Sequence, residues 1–468
     1  MLRIDVINYL STIDELDHSR LTDLEIMTVG GTDFLIGATR YDGVLQSWHI
    51  AGASLGLNDM LAFDGSLIAG GTGTITTLAL GTEMGLLIGG ATGDALQTVT
   101  VGPDGSFVTT TTLDPMPAVF AGFQHGMTVT LPTGQQAIYG GVVGQTGIGR
   151  IDFDTDGTFL GQSLLASPPD SYAAQISAMA TAEISGTTYL LSASSSGNGM
   201  TSWTVGMDGD LTAVESLGTD EGLWVNAPAA MAVATVGEGT YVVLASAGSG
   251  TRSVMEIADD GSLIIREHIL DTLETRFAGV TALEIIDHNG QTYVIAGGAD
   301  DGLTSFVLLE GGQLMPRASI EDTVDIGLDN ISAITSLGRG QGLDIYVASS
   351  SEPGVTQLRF DTGVAGVTAT ATLAGGVLAG TAGADVLQGH DAADLIDGGA
   401  GADIIRDGAG SDSLAGGAGA DVFILSQDGV IDTITDFVVG EDKIDLSLWP
   451  LLRDISQLAI SLRSDGME

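Results

Sequence analysis

Aspartate recurs every ninth residue near the C-terminus, at Asp385, Asp394, Asp403, Asp412 and Asp421. The intervening segments are almost bare of larger side chains, as in "GGAGADIIRDGAGSDSLAGGAGADVFI" from Gly398 to Ile424. Two residues after each aspartate stands an apolar residue: Leu387, Ile396, Ile405, Leu414 and Phe423. Carboxylates are hard anionic ligands, and glycine lets the backbone turn tightly and approach a ligand closely. Turns repeated at a fixed interval can bring many oxygens onto one cation. Calcium, which accepts about six to eight oxygens in flexible geometry, fits such a site better than magnesium.

Positioning those oxygens needs a regular scaffold. Each unit of nine reads as a six-residue turn followed by a three-residue strand whose eighth residue enters a core. Stacked units form a parallel β-roll with turns on alternate flanks, so unit n meets unit n+2. Asp385 then pairs with Asp403, Asp403 with Asp421, and Asp394 with Asp412, giving about three calcium sites. Turn carbonyls such as those of Gly398, Ala400, Gly416 and Ala418 complete them. A flexible Gly/Ala linker is the alternative, but it does not account for five in-phase aspartates with five in-phase apolar residues.

These residues resemble the RTX family of hemolysin-type calcium-binding repeats, with consensus GGxGxDxUx. The units starting at Gly398 and Gly416 match in full. Thr381, His390, Ala392 and Asp407 depart from the consensus, which implies weaker binding at the outer turns. The segment from Val422 to Ser447 resembles the one that closes the roll in secreted RTX proteins such as the serralysin-type proteases. Asp432 and Ile434 imitate positions six and eight of a further unit, and Asp436, Asp442 and Asp445 are extra potential ligands. The resemblance implies export by a type I secretion apparatus, guided by an uncleaved C-terminal signal in residues 425–468. It also implies a switch: unpaired carboxylates repel without metal, and the roll folds at the roughly 10⁻³ M calcium found outside cells.

Composition supports this reading. Among 468 residues, 60 are acidic and 14 basic, for a formal charge of −46, and Lys443 is the single lysine. Nucleic acid and anionic membranes would repel such a surface. The hydrophobic fraction of 44% nevertheless argues for a folded chain. There is no cysteine, so disulfides and thiolate metal sites are excluded. The start, "MLRIDVINYLSTIDELDHSR", lacks the cationic and apolar runs of a cleavable signal peptide, and no apolar run suggests a transmembrane helix.

Residues 1–372 carry a slower repeat. Segments beginning at Leu21, Ile75, Gln124, Ile176, Pro228, Val280 and Ile331 share one plan. In the segments from Ile176, Pro228 and Val280, a small–apolar strand, a Gly-bearing turn, a strand around tyrosine, a Gly/Ser/Ala loop, a third strand and a DG- or GG-type hairpin follow in order. The period of roughly 50 residues suits four strands per unit. The chain is therefore read as all-β: a seven-bladed β-propeller over 1–372, a parallel β-roll over 373–424, and a cap with the secretion-signal region over 425–468. Residues 1–12 are expected to form the outer strand of the last blade. A β-solenoid or a pair of sandwiches is the alternative. The propeller resembles lactonase-like and YVTN-type propellers at fold level only, without a motif that carries residues over.

Loops entering the inner strands converge on one mouth of a propeller channel. Here they bear Asp17, His18 and Arg20, Gln124 and His125, Asp329 and Asn330. Tyr172, Gln175, Trp224, Asn226, Arg276 and Phe277 form the expected ligand-binding funnel, with aromatics beside amides and arginine. For catalysis, His18 or His125 could act as a base, and Asp17 with Asp329 could hold a metal. No HExxH motif accompanies them. The reading favours a secreted calcium-binding protein whose propeller recognises a protein, a glycan or its own copies. An extracellular lactonase- or esterase-like hydrolase and a calcium-dependent matrix or surface-layer protein stay open.

Overall fold

The computed structural model describes residues 4–10, 21–39, 43–52, 54–63, 74–89, 96–271, 276–323, 326–446 and 449. Seven four-stranded antiparallel sheets are followed by a right-angled change of design, two parallel sheets of short strands. The inner strands of the seven blades are Leu21–Val29, Thr74–Leu80, Phe123–Thr130, Ile176–Ile184, Pro228–Val236, Ala282–His288 and Ile331–Arg339. Each packs against the inner strands of both neighbouring blades, and the last meets the first. The result is a closed seven-bladed propeller.

Ring closure uses the N-terminus. Blade 7 takes three strands from the end of the repeat region, Ile331–Arg339, Gly342–Ser349 and Val355–Asp361, and its outermost strand is Ile4–Leu10. Ile4 stands opposite Phe360 and Leu10 opposite Val355. Residues 11 and 12 of the expected closing strand lie outside the described residues.

The recurring residue types each have a mechanical role. Hairpins between the first two strands turn through Gly30-Gly31, Ser185-Gly186 and Asn289-Gly290, with φ of 60° and 81°, 51° and 79°, and 52° and 79°. Two successive left-handed residues are what a type I′ turn requires, so its twist matches that of the strands. The repeated tyrosine reaches into the next blade: Tyr139 Oη donates to the Gly209 carbonyl at 2.6 Å, and Tyr189 Oη to the Asp259 carbonyl at 2.9 Å. Tyr241 Oη accepts the Gly311 N–H at 2.8 Å. Hydroxyls on the inner strands do the same nearer the axis, with Ser177 bonded to the Pro228 carbonyl and Ser332 to the Leu21 carbonyl.

Acidic residues latch neighbouring blades as well. Asp59 accepts the Phe107 N–H at 2.8 Å, and Glu267 accepts the Leu314 N–H at 2.7 Å. Near the axis, Asp23 accepts the Ile75 N–H at 2.7 Å and Glu284 accepts the Ser336 N–H at 3.0 Å. Part of the chain's acidity is therefore structural.

Glu25 lies between Asp23 and Glu284 in this inner ring. Burial, with those two carboxylates adding, pushes Glu25 up to about 8; burial alone raises Asp23 and Glu284 to about 7. A carboxyl whose pKa is higher folded than unfolded stabilises the fold at low pH, and this contribution is lost as pH rises through the folded value. In excess calcium, the melting temperature should fall between about pH 4.5 and about pH 8, and Glu25→Gln should flatten that fall. Differential scanning calorimetry reads both; parallel pH profiles for the two proteins would refute the assignment.

Candidate calcium ladders and propeller mouth

The nonapeptide region forms a roll of two facing parallel sheets. One contains Ala365–Thr370, Ala384–Gln388, Ile404–Arg406, Val422–Ile424 and Lys443–Asp445; the other contains Val377–Ala379, Leu395–Asp397, Ser413–Ala415 and Thr433–Ile434. Leu387, Ile396, Ile405, Leu414 and Phe423 are all 0% exposed and form one seam between the sheets. The eighth residue of each unit thus closes the core, as the spacing predicts.

Glycine at positions two and four is what the turns need. Gly399 and Gly401, Gly408 and Gly410, and Gly417 and Gly419 all have left-handed φ, between 92° and 140°. A side chain there would be strained. Thr381, His390 and Ala392 occupy such positions in the first two units, and neither turn contains a left-handed residue.

The five aspartates are buried and aligned into two ladders. Asp385 N–H donates to Asp403 Oδ1 at 2.7 Å, Asp403 N–H to Asp421 Oδ1 at 2.9 Å, and Asp421 N–H to Asp442 Oδ1 at 3.0 Å. On the opposite flank, Asp394 N–H donates to Asp412 Oδ1 at 2.8 Å and Asp412 N–H to Asp432 Oδ1 at 3.1 Å. Each carboxylate spends one oxygen on the backbone two units back. The other oxygen of Asp403, Asp412 and Asp421 is buried without any hydrogen-bond partner.

Those orphaned oxygens are where the residues fit a cation. A Cβ built on Gly398 or Gly416 would collide with Oδ2 of Asp403 or Asp421, so glycine keeps open the space in front of each carboxylate. The Ala418 carbonyl also accepts the Gly401 N–H, and Ala400 bridges Ala418 across the two matching turns. In the first two units the spare oxygen is already engaged: Asp385 Oδ2 accepts the Thr381 N–H and Asp394 Oδ2 the His390 N–H. Among the described residues no three His, Asp or Glu side chains converge as a metal site. A site in the roll would instead take two carboxylates and draw its remaining oxygens from turn carbonyls. Burial first, then the neighbouring carboxylates, pushes Asp403 up to about 7 and Asp412 and Asp421 up to about 6.

The second feature is the channel mouth, a cavity of about 620 Å³ ringed by inner strands. Thr22, Ser177, Thr281 and Ser332 line it with hydroxyls, and Met127 and Met179 with flexible thioethers. His125 enters it as well. Its φ of 54° matches the left-handed residues just before later inner strands, Gln175, Ala227 and Asn330. The His125 imidazole has no hydrogen-bond partner among the described residues, and burial lowers its pKa to about 4, leaving it neutral.

None of the six residues expected to form a ligand funnel lines this cavity. Phe277 is fully buried, stacked 3.6 Å from the Arg252 guanidinium. The Tyr172 ring fills a notch made by Gly197, Gly199 and Gly218, and Arg276 is ion-paired with Glu321. Trp224, at 65% exposure, lies edge-on to His268, while Asn226 and Gln175 sit in blade-entry loops, with the Gln175 carbonyl accepting the Ser195 N–H. Asp17, His18 and Arg20 lie outside the described residues, as do residues 450–468 of the expected secretion signal. Asp329 accepts from the Asn330 amide at 2.6 Å and sits among Asp301, Asp322 and Glu352.

The profile of the RTX calcium-binding nonapeptide repeat matches residues 374–405 and 397–428, the same turns and strands. The roll is made of RTX repeats, which bind calcium. No curated protein sequence matches the chain. Among solved structures, a protein from Lactobacillus plantarum is similar with a TM-score of 0.50 and 15% identity, over 68% of this chain and 89% of its own. The periplasmic gluconolactonase of Pseudomonas aeruginosa gives 0.49 and 12%, over 65% and 86%. At such identities the first likeness concerns the propeller fold alone.

Asp403 serves two neighbouring positions in its RTX ladder. Asp403→Ala should therefore lower the bound calcium by about two ions, read by native mass spectrometry. An unchanged count would contradict the ladder assignment. Because protons compete for the same oxygens, calcium affinity should rise from about pH 5 to about pH 8 in titration calorimetry, and a flat profile over that range would place the ligands elsewhere.

Proposed function

We propose that this chain is a secreted recognition protein whose RTX tail couples export to calcium-dependent folding and whose propeller binds a partner at the channel mouth. The observation that carries the recognition reading is the mouth cavity itself. It is open, of small-ligand size, and lined by hydroxyls, thioethers, Asp23 and one neutral imidazole that has no hydrogen-bond partner among the described residues. Such a lining suits a neutral ligand or a protruding group of a larger partner, held by a few hydrogen bonds over apolar contact.

Catalysis fits these groups less well. An imidazole lowered to about 4 is a weak base at neutral pH, and His125 has no carboxylate to orient it or raise its basicity. Export through a type I apparatus rests on the resemblance of the RTX repeats to those of secreted proteins.

A glycan array and a library of neutral metabolites, screened by ligand-observed NMR in calcium, test the reading. Hits should lose about tenfold or more in affinity with His125→Ala or Met179→Asp. Binding indifferent to both substitutions, or steady turnover of a lactone or ester that His125→Ala abolishes, would overturn it.

A further inference from the structure

The two RTX ladders are alike in chemistry but not in surroundings. The sheet that begins at Ala365–Thr370 lies against the propeller. Its Val386, Ile404 and Ile424 belong to the same apolar cluster as Tyr293, Leu309 and Met315 of blade 6. At position seven of the units, Val386 and Ile404 are 8% and 1% exposed, whereas Val377 and Leu395 on the other sheet are 73% and 50% exposed. One half of the roll extends the propeller core and the other faces solvent.

Two propeller side chains also grip the turns of the inner half. Gln291 Nε2 donates to the Ala384 carbonyl at 2.7 Å, and Arg317 Nη2 donates to the Ala402 carbonyl at 2.7 Å. These carbonyls immediately precede Asp385 and Asp403. Gln291 is itself held by Tyr293 Oη at 2.9 Å. Arg317, on the outer strand Leu314–Glu321, is only 7% exposed, and Asp403 and Asp421 are the carboxylates that act on it. Arg317 forms no ion pair among the described residues; its guanidinium is fixed by the Ala402 carbonyl, and the ladder carboxylates Asp403 and Asp421 act on it at longer range. The solvent-facing ladder of Asp394, Asp412 and Asp432 has no comparable cation among its described hydrogen bonds and ion pairs.

We infer that the propeller holds the inner ladder, Asp385–Asp403–Asp421–Asp442, folded without calcium, with Arg317 as its resident counter-charge, and that calcium-driven ordering is concentrated in the outer ladder. Arg317 is a positioning residue: it fixes the turn before Asp403 and offsets the repulsion that would otherwise open it. The propeller then serves as a template on which half of the roll is already assembled when calcium arrives.

The absence of cysteine allows a direct test on the full chain. Ile405 and Leu414 are equivalent seam residues, both 0% exposed, one on the inner sheet and one on the outer. I405C and L414C are labelled separately with iodoacetamide, in calcium and in EDTA. Both thiols should be protected in calcium. In EDTA, the thiol at 414 should react about tenfold or more faster than that at 405. Adding Arg317→Gln should expose position 405 in EDTA, and Arg317→Lys, which keeps the charge, should do so less. Equal labelling of the two positions in EDTA in the Arg317 background would overturn the inference. So would an Arg317→Gln protein in which position 405 stays as protected as before.

Discussion

Everything in the tail depends on stacking carboxylates at strand spacing. Parallel strands lie about 4.8 Å apart, and two charges at that distance repel by about 3 kcal/mol at an effective dielectric constant near 20. Asp403, Asp412 and Asp421 are buried with one oxygen each unsatisfied. A seam of five apolar residues is thin recompense for ordering some seventy residues of glycine-rich chain. The ladder therefore requires positive charge, from calcium or from the protein, and the placement of glycine, aspartate and Arg317 follows from that need.

The propeller solves a different problem with some of the same residues. Its blades must be held edge to edge around a ring, and Asp23, Asp59, Glu267 and Glu284 do so by accepting backbone N–H groups of the next blade. A charge of −46 therefore has two physical origins: latches in the propeller and ligands in the tail. The two parts meet where Gln291, Arg317 and the blade 6 core receive the inner sheet of the roll. This contact makes the RTX tail an extension of the folded body rather than an appendage.

Periodic features were legible in the sequence. The nine-residue interval of Asp385 to Asp421 and of Leu387 to Phe423 carries the roll, because each position has one environment repeated five times. The seven blade starts are legible for the same reason, a Gly-bearing turn recurring in each unit and a tyrosine in five of the seven. The mouth was not legible, because which loop side chains turn inward depends on single local packings. Phe277 is taken by Arg252, and Tyr172 by a notch of three glycines, Gly197 and Gly199 at one hairpin and Gly218 about twenty residues on. Of the candidates among the described residues, His125 alone reaches the cavity, and its left-handed φ has no signature in the sequence. Arg317 and Gln291 were equally hidden, since their partners lie 85 and 93 residues away.

The central claim is that calcium ions bridge consecutive turns of each ladder. A crystal of the full chain grown in calcium, with anomalous data collected at long wavelength, tests it most directly. The account predicts anomalous peaks within coordination distance of Oδ2 of Asp403, Asp412 and Asp421, together with turn carbonyls. Well-ordered turns holding only water at those positions, or peaks confined to the propeller, would contradict it.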